Sequence, residues 1–181
     1  VDGIRAKGAK VVQLNHPRWP TLPNCPFTKF GLNRASGDFA EGRRFPFDCM
    51  ELANALTPQK DPLYLFRDYF ALLNHGARIT ATGSSDSHTV NEPVAQGRSY
   101  VPSATHDPTK VDVNDACQKF LRGETCISLG ILADVVVDGR FKMGQTNSTK
   151  RGSVDVRLRV ASASWIKPRR AMVFINGLGD L

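Results

Sequence analysis

The chain has 181 residues, 41% of them hydrophobic and 23% charged, with a net charge of +7. This balance is ordinary for a globular protein, and no apolar run approaches the roughly 20 residues that a membrane span requires, so a membrane segment is excluded. The positive charge suits anionic partners, but the bases are scattered over Arg43-Arg44, Lys150-Arg151 and Lys167-Pro168-Arg169-Arg170 without interleaved aromatics, the pattern of a solvated surface rather than of a nucleic-acid groove.

The first residues, Val1 to Gly8, hold no initiator Met and no apolar signal core, so the compartment stays open between cytoplasmic and extracytoplasmic. The apolar run Val11-Val12-Gln13-Leu14 predicts a buried strand that Pro17 stops just after His16. Cys25 and Cys49 flank an insertion rich in Pro, Gly and Arg. Together with Cys117 and Cys126 they form no C-x-x-C, and either a disulfide or buried thiols account for them. A second strand is predicted over Phe47 to Asn54, carrying Glu51 and Asn54 near its exit.

A helix follows, with Asp61 as cap, Pro62 in the first turn, an apolar face of Leu65, Phe66, Tyr69, Phe70, Leu72 and Leu73, and Gly76 as stop. His75 at its end is placed to meet the last carbonyls. Ala77 to Ala81 predicts a third strand, leading into Thr82-Gly83-Ser84-Ser85-Asp86-Ser87-His88. In an extended segment Asp86 and His88 share a face, and three small residues before them leave room for an ion or substrate. The same tripeptide also suits a turn or a helix cap. Ser84 or Ser85 beside His88 lacks the Gly-x-Ser-x-Gly elbow of a serine hydrolase.

His106 falls in a polar loop. A short helix is predicted from Val113 to Arg122, with Asp112 or Asn114 as cap, Gly123 as stop, and Ala116, Cys117, Phe120 and Leu121 facing inward. From there the pattern is strands alone: Thr125 to Leu129, Leu132 to Val137, Val154 to Val160 and Ala171 to Ile175. Asp138-Gly139 and Asn176-Gly177 are turn signals, and Trp165 is placed at an edge or corner. Alternation of Val154, Val156, Leu158 and Val160 with Asp155, Arg157 and Arg159 predicts one buried and one wet face.

The order Asn-His-Pro at 15–17, Glu-Leu-Ala-Asn at 51–54, Leu-Leu-Asn-His-Gly at 72–76 and Ile-Thr-Ala-Thr-Gly-Ser-Ser-Asp-Ser-His at 79–88 resembles the polymerase and histidinol phosphatase (PHP) superfamily, and more narrowly its carbaryl-hydrolase-like branch, from about Val11 to Gly177. The resemblance implies an α/β fold. Residues 1–123 would be the C-terminal part of a distorted, TIM-like (β/α)7 barrel, and residues 124–181 a small all-β, sandwich-like module. It implies a metal-dependent hydrolase of phosphoester, or of ester or carbamate, bonds, with two or three zinc, manganese or iron ions activating a water.

Carried over by position, His16, Asp86 and His88 are metal ligands. Glu51 and Asn54 stand behind them or meet substrate, and Arg98, which resembles an arginine the family often keeps there, either grips an anionic group of a small-molecule substrate or is a surface or ion-paired arginine. The departure is the family's opening His-x-His pair, which has no counterpart before His16. Taken alone, three donors are expected to hold one ion weakly and to support little turnover. The contrasting class is a non-catalytic module whose β segment recognises a ligand or partner. Substrate, metal identity and oligomeric state are not legible.

Overall fold

The structure, a computed structural model, describes residues 1–18, 24–43, 46–55 and 63–177. In chain order these form α1 (Asp2–Arg5), β1 (Gln13–Leu14), α2 (Pro26–Lys29), β2 (Cys49–Asn54), α3 (Tyr64–Asn74), β3 (Thr80–Ser84), β4 (Arg98–Tyr100), α4 (Val113–Leu121), β5 (Cys126–Ser128), β6 (Ile131–Val137) and β7 (Val156–Ser162).

The expected barrel is not formed. Three strands, β1-β2-β3, make one parallel sheet, while β4-β5 and β6-β7 are separate antiparallel pairs. A barrel closes only when every strand has a hydrogen-bonded neighbour on both sides, with tilt and stagger to match. Here β1 and β3 are sheet edges, and α3 is the one long helix that crosses between parallel strands. Nor is there a sandwich among the described residues: β6 and β7 form a two-stranded ribbon with every residue of β7 exposed. The predicted alternation is present in the sequence of β7, but no second layer covers either face.

The predicted strand at 171–175 is also absent, because Phe174 packs its ring 6.4 Å from that of Phe70 on α3, and the Asn74 amide donates to the Asn176 carbonyl at 2.7 Å. That segment folds back onto the helix instead of extending the ribbon. Trp165 is exposed, not packed at an edge.

What does form follows from local chemistry. Asp112 caps α4 by accepting from the amides of Asn114 and Asp115, and Gly123 ends it in the left-handed region at φ +75°. Of the residues expected to face inward on this helix, Ala116, Cys117 and Phe120 are half-buried and Leu121 is exposed. Helix α3 ends with His75 donating Nδ1–H to the Ala71 carbonyl at 2.8 Å, the helix-end role expected of it. Its expected cap and first-turn proline, Asp61 and Pro62, lie outside the described residues.

The core lies between the parallel sheet and α3: Leu14, Phe27, Phe47, Met50, Leu52, Leu65 and Leu72 are buried together. Asp48 ties the sheet to the first segment, accepting from both Arg5 and the Val12 amide. All four cysteines carry free thiols. Burial, with Asp48 beside it, pushes the Cys49 thiol up to about 12, which makes it an inert core residue.

Candidate functional site

In a parallel sheet all strands deliver their exits to one edge, where α/β proteins place their chemistry. Here β1 leads to His16, β2 carries Glu51 and Asn54 at its end, and β3 leads to Asp86. Ladder pairs Cys49↔Thr80, Met50↔Ala81 and Glu51↔Thr82 give way to Ala53↔Gly83 and Asn54↔Ser84, so β2 contains a bulge at Leu52. A bulge changes which face later residues occupy. It explains how the Asn54 amide, three residues on, donates to Glu51 Oε1 at 3.2 Å.

Glu51 is the hub of this edge and is 2% exposed. Its Oε2 accepts from the His16 amide at 2.9 Å and from His16 Nδ1 at 2.7 Å, and its Oε1 from Asn54 and from the Ser84 hydroxyl. A buried carboxylate is tolerated only when donors satisfy it, and here four do. Because a carboxylate can only accept, Nδ1 of His16 carries its hydrogen toward Glu51, and Nε2 is the ring nitrogen turned away from it. That Nε2 faces Asp86 Oδ1 at 3.8 Å.

His88 repeats the pattern. Its Nδ1–H is directed to the Asp86 main-chain carbonyl, and its Nε2 also lies 3.8 Å from Asp86 Oδ1. Such distances are too long for hydrogen bonds. They fall within the roughly 4.2 Å that can separate two donors bound to one ion through bonds of about 2.1 Å. His16 and Asp86 both have positive φ, +52° and +53°, a conformation uncommon outside glycine that His and Asp adopt more readily than most residues.

The predicted donors are thus brought together, though not by the predicted route. β3 ends at Ser84, so Asp86 and His88 belong to the following loop and do not share a strand face. A left-handed turn at Asp86 and the His88 side chain folding back onto its carbonyl do the work instead. The shell is not closed: among the described residues no group of three or more His, Cys, Asp or Glu side chains could hold a metal ion as it stands. The His88 side chain is 71% exposed. Imidazole and carboxylate are donor types that a divalent cation accepts.

Ser84 directs its hydroxyl to Glu51 rather than to an imidazole, which leaves no serine–histidine pair there. Arg98, on β4, stands beside the end of β3. Ser99 Oγ donates to the Gly83 carbonyl and accepts from its amide, and a Cβ on Gly83 would come within 3.0 Å of the Arg98 carbonyl. The Arg98 guanidinium lies 5.8 Å from the Tyr100 ring, and its Nε is buried with no hydrogen-bond partner among the described residues. A buried guanidinium N–H is costly to leave unmade. His106 is exposed in its loop.

Two supporting groups escaped sequence reasoning. Glu92 accepts from the amides of His88 and Thr89, which hold its carboxyl below the usual range and shape the loop that presents His88. The spacing Thr89-x-x-Glu92 was its signal. Asp68 is fully buried on α3, accepting from Arg18 through two guanidinium nitrogens, at 2.9 and 2.8 Å, and from Arg34 at 2.7 Å. Hydrogen bonding to Asp68 raises the pKa of Arg18 further and pins the chain two residues after His16. A lone Asp on the apolar face of a helix was the clue.

Comparison with protein-family models, with curated proteins and with solved structures yields no match, so the resemblance rests on its motifs and assigns no family. Among the described residues no helix is long and apolar enough to cross a membrane.

Proposed function

We propose that the chain carries the cation-holding edge of a metal-dependent hydrolase acting on phosphoesters, with carboxylic esters and carbamates as neighbouring substrate classes. The observation that supports it most is the aim of the two imidazoles. His16 and His88 each spend Nδ1–H on an oxygen and turn Nε2 toward the same atom, Asp86 Oδ1. Two imidazole nitrogens turned toward one carboxylate oxygen, each beyond hydrogen-bond reach of it, leave a gap that a divalent cation could bridge. Glu51 behind His16 is the carboxylate–histidine arrangement that fixes tautomer and ring orientation at metal centres.

His16, Asp86 and His88 would hold the ion. The chemistry a divalent ion supplies when bound is a water acidified toward neutrality and a polarised scissile centre. Glu51 keeps His16 in the ligating tautomer, Asn54 and Ser84 hold Glu51 in place, and Arg98 offers N–H groups to an anionic substrate.

Titration of zinc or manganese into the chain, followed by calorimetry, tests this reading. One weak site is expected, lost in Asp86→Ala and weakened in His16→Ala, together with slow, chelator-sensitive hydrolysis of a chromogenic phosphodiester. Equal affinity in the native chain and in Asp86→Ala would remove the proposal, as would turnover that persists in excess chelator.

A further inference from the structure

A cavity of about 900 Å³ opens beside this edge, walled by Leu52, Phe66, Ile127 and Met143 and flanked at its mouth by Leu129 and Met172. Packed interiors leave few voids larger than a water molecule, whereas a space of several hundred Å³ is the size at which small-molecule sites begin. Its lining is mostly aliphatic and thioether, with two methionines whose unbranched, polarisable side chains adapt to varied apolar shapes.

The cavity and the candidate centre share a wall. Asn54 lines the cavity and donates to Glu51. Ala55, also in the lining, donates its amide to the Ser84 carbonyl at 3.0 Å. Gln96 lines it too, two residues before Arg98.

We infer that this cavity binds the apolar alkyl or aryl group of an amphiphilic ester whose charged group lies at the Asp86 edge. The inference takes its head group from the hydrolase reading and its tail site from the cavity alone. An apolar wall next to polar, cation-holding residues matches a molecule with one charged and one hydrocarbon end; a wholly polar substrate, such as a sugar phosphate, would leave that wall facing water. Burial of apolar surface supplies the discrimination, since each buried methylene tightens binding about fourfold.

Calorimetric titration of the chain with the homologous series from butylphosphonate to octylphosphonate, whose P–C bonds resist hydrolysis, tests it. Affinity is expected to rise about fourfold per added methylene. Leu129 and Met172 are 59% and 55% exposed, so Leu129→Glu and Met172→Glu place a carboxylate at the cavity mouth without disturbing the core. In both variants the dependence on chain length should fall below twofold per methylene, with the urea midpoint reporting that the fold is kept.

A flat series in the native chain overturns the inference, and so does a rising series that both variants retain, because the tail then binds elsewhere. The metal titration judges the Asp86 edge separately. A chain that binds zinc but shows a flat series loses the cavity assignment alone, and one that shows the slope without zinc binding loses the hydrolase reading while the cavity stands as a site for apolar ligands.

Discussion

Glu51 is where sequence, fold and chemistry meet in a single side chain. It is buried at the end of a central strand and accepts four hydrogen bonds, two of them from His16. Glu51→Gln keeps the shape but replaces one acceptor oxygen with an N–H donor that faces other donors. Hydrogen bonds to a charged group contribute about 1.5–3 kcal/mol each, so a loss of about 3 kcal/mol in the urea unfolding free energy is expected. The ring nitrogen shifts of His16 would move from one tautomer toward a mixture, an effect that simple destabilisation does not produce. An unchanged tautomer would mean that Glu51 does not set it. Cys49, two residues earlier, gives the pH dependence. Its folded pKa, about 12, lies above the ordinary value of about 9. The protonated thiol therefore favours the native state fully below pH 9, and this contribution is lost as pH rises toward 12, because the unfolded chain ionises first. Cys49→Ala should lose stability less steeply than the native chain between pH 9 and 12, by up to about one proton's worth of slope. Equal slopes would sink the assignment.

Among the elements, the junction of β3 with β4 decides whether the edge holds its geometry. Gly97 sits so close to β3 that a Cβ there would lie 2.0 Å from the Ser84 carbonyl oxygen and 3.2 Å from the Ala55 Cβ. Backbone cannot yield as a flexible side chain does, so Gly97→Ala is expected to cost about 2–3 kcal/mol, in the range of overpacked sites, and to weaken metal affinity by displacing Ser84 from Glu51. Gly3→Ala, inside the short helix α1 with nothing within 4 Å, is the control without a clash and should be neutral or stabilising by up to about 1 kcal/mol in thermal unfolding. If Gly97→Ala proves as mild as Gly3→Ala, the β3–β4 contact is not what holds the edge. This contact also marks the limit of what the sequence reveals. Helix α4 was legible because cap and stop are local, and β2 and the strand exits because apolar runs ended at Pro, Gly or polar residues. The bulge at Leu52 and the fold-back of Phe174 onto Phe70 involve contacts between distant segments, which no window of sequence displays, and the left-handed turn at Asp86 is a conformation that its residue type allows but does not announce. The barrel expectation failed for the same reason: motif order speaks to strand exits, not to whether the sheet closes.

Across the whole molecule, burial is concentrated in one half. The parallel sheet packs on α3 around Phe27, Met50 and Leu65, with the Arg18–Asp68 pair buried at its border, while the β6-β7 ribbon has one hydrogen-bonded partner strand apiece and, among the described residues, no layer that covers β7. A two-stranded ribbon is marginal by itself, so its opening need not disturb the sheet. Native-state hydrogen exchange should therefore be graded: among amides hydrogen-bonded within a ladder, that of Met50 exchanges slowest, and those of Arg157 and Arg159, which stand at the hydrogen-bonded positions of the β6-β7 register, at least about 100-fold faster, a gap of about 2.7 kcal/mol in opening free energy. Such a gradient would put the Glu51 stretch of β2 on the stable side of the molecule, where the proposed site needs its support. Protection at Arg157 and Arg159 equal to that at Met50 would show that the ribbon unfolds only with the sheet, and that its apolar residues are covered in solution by something the described residues do not supply.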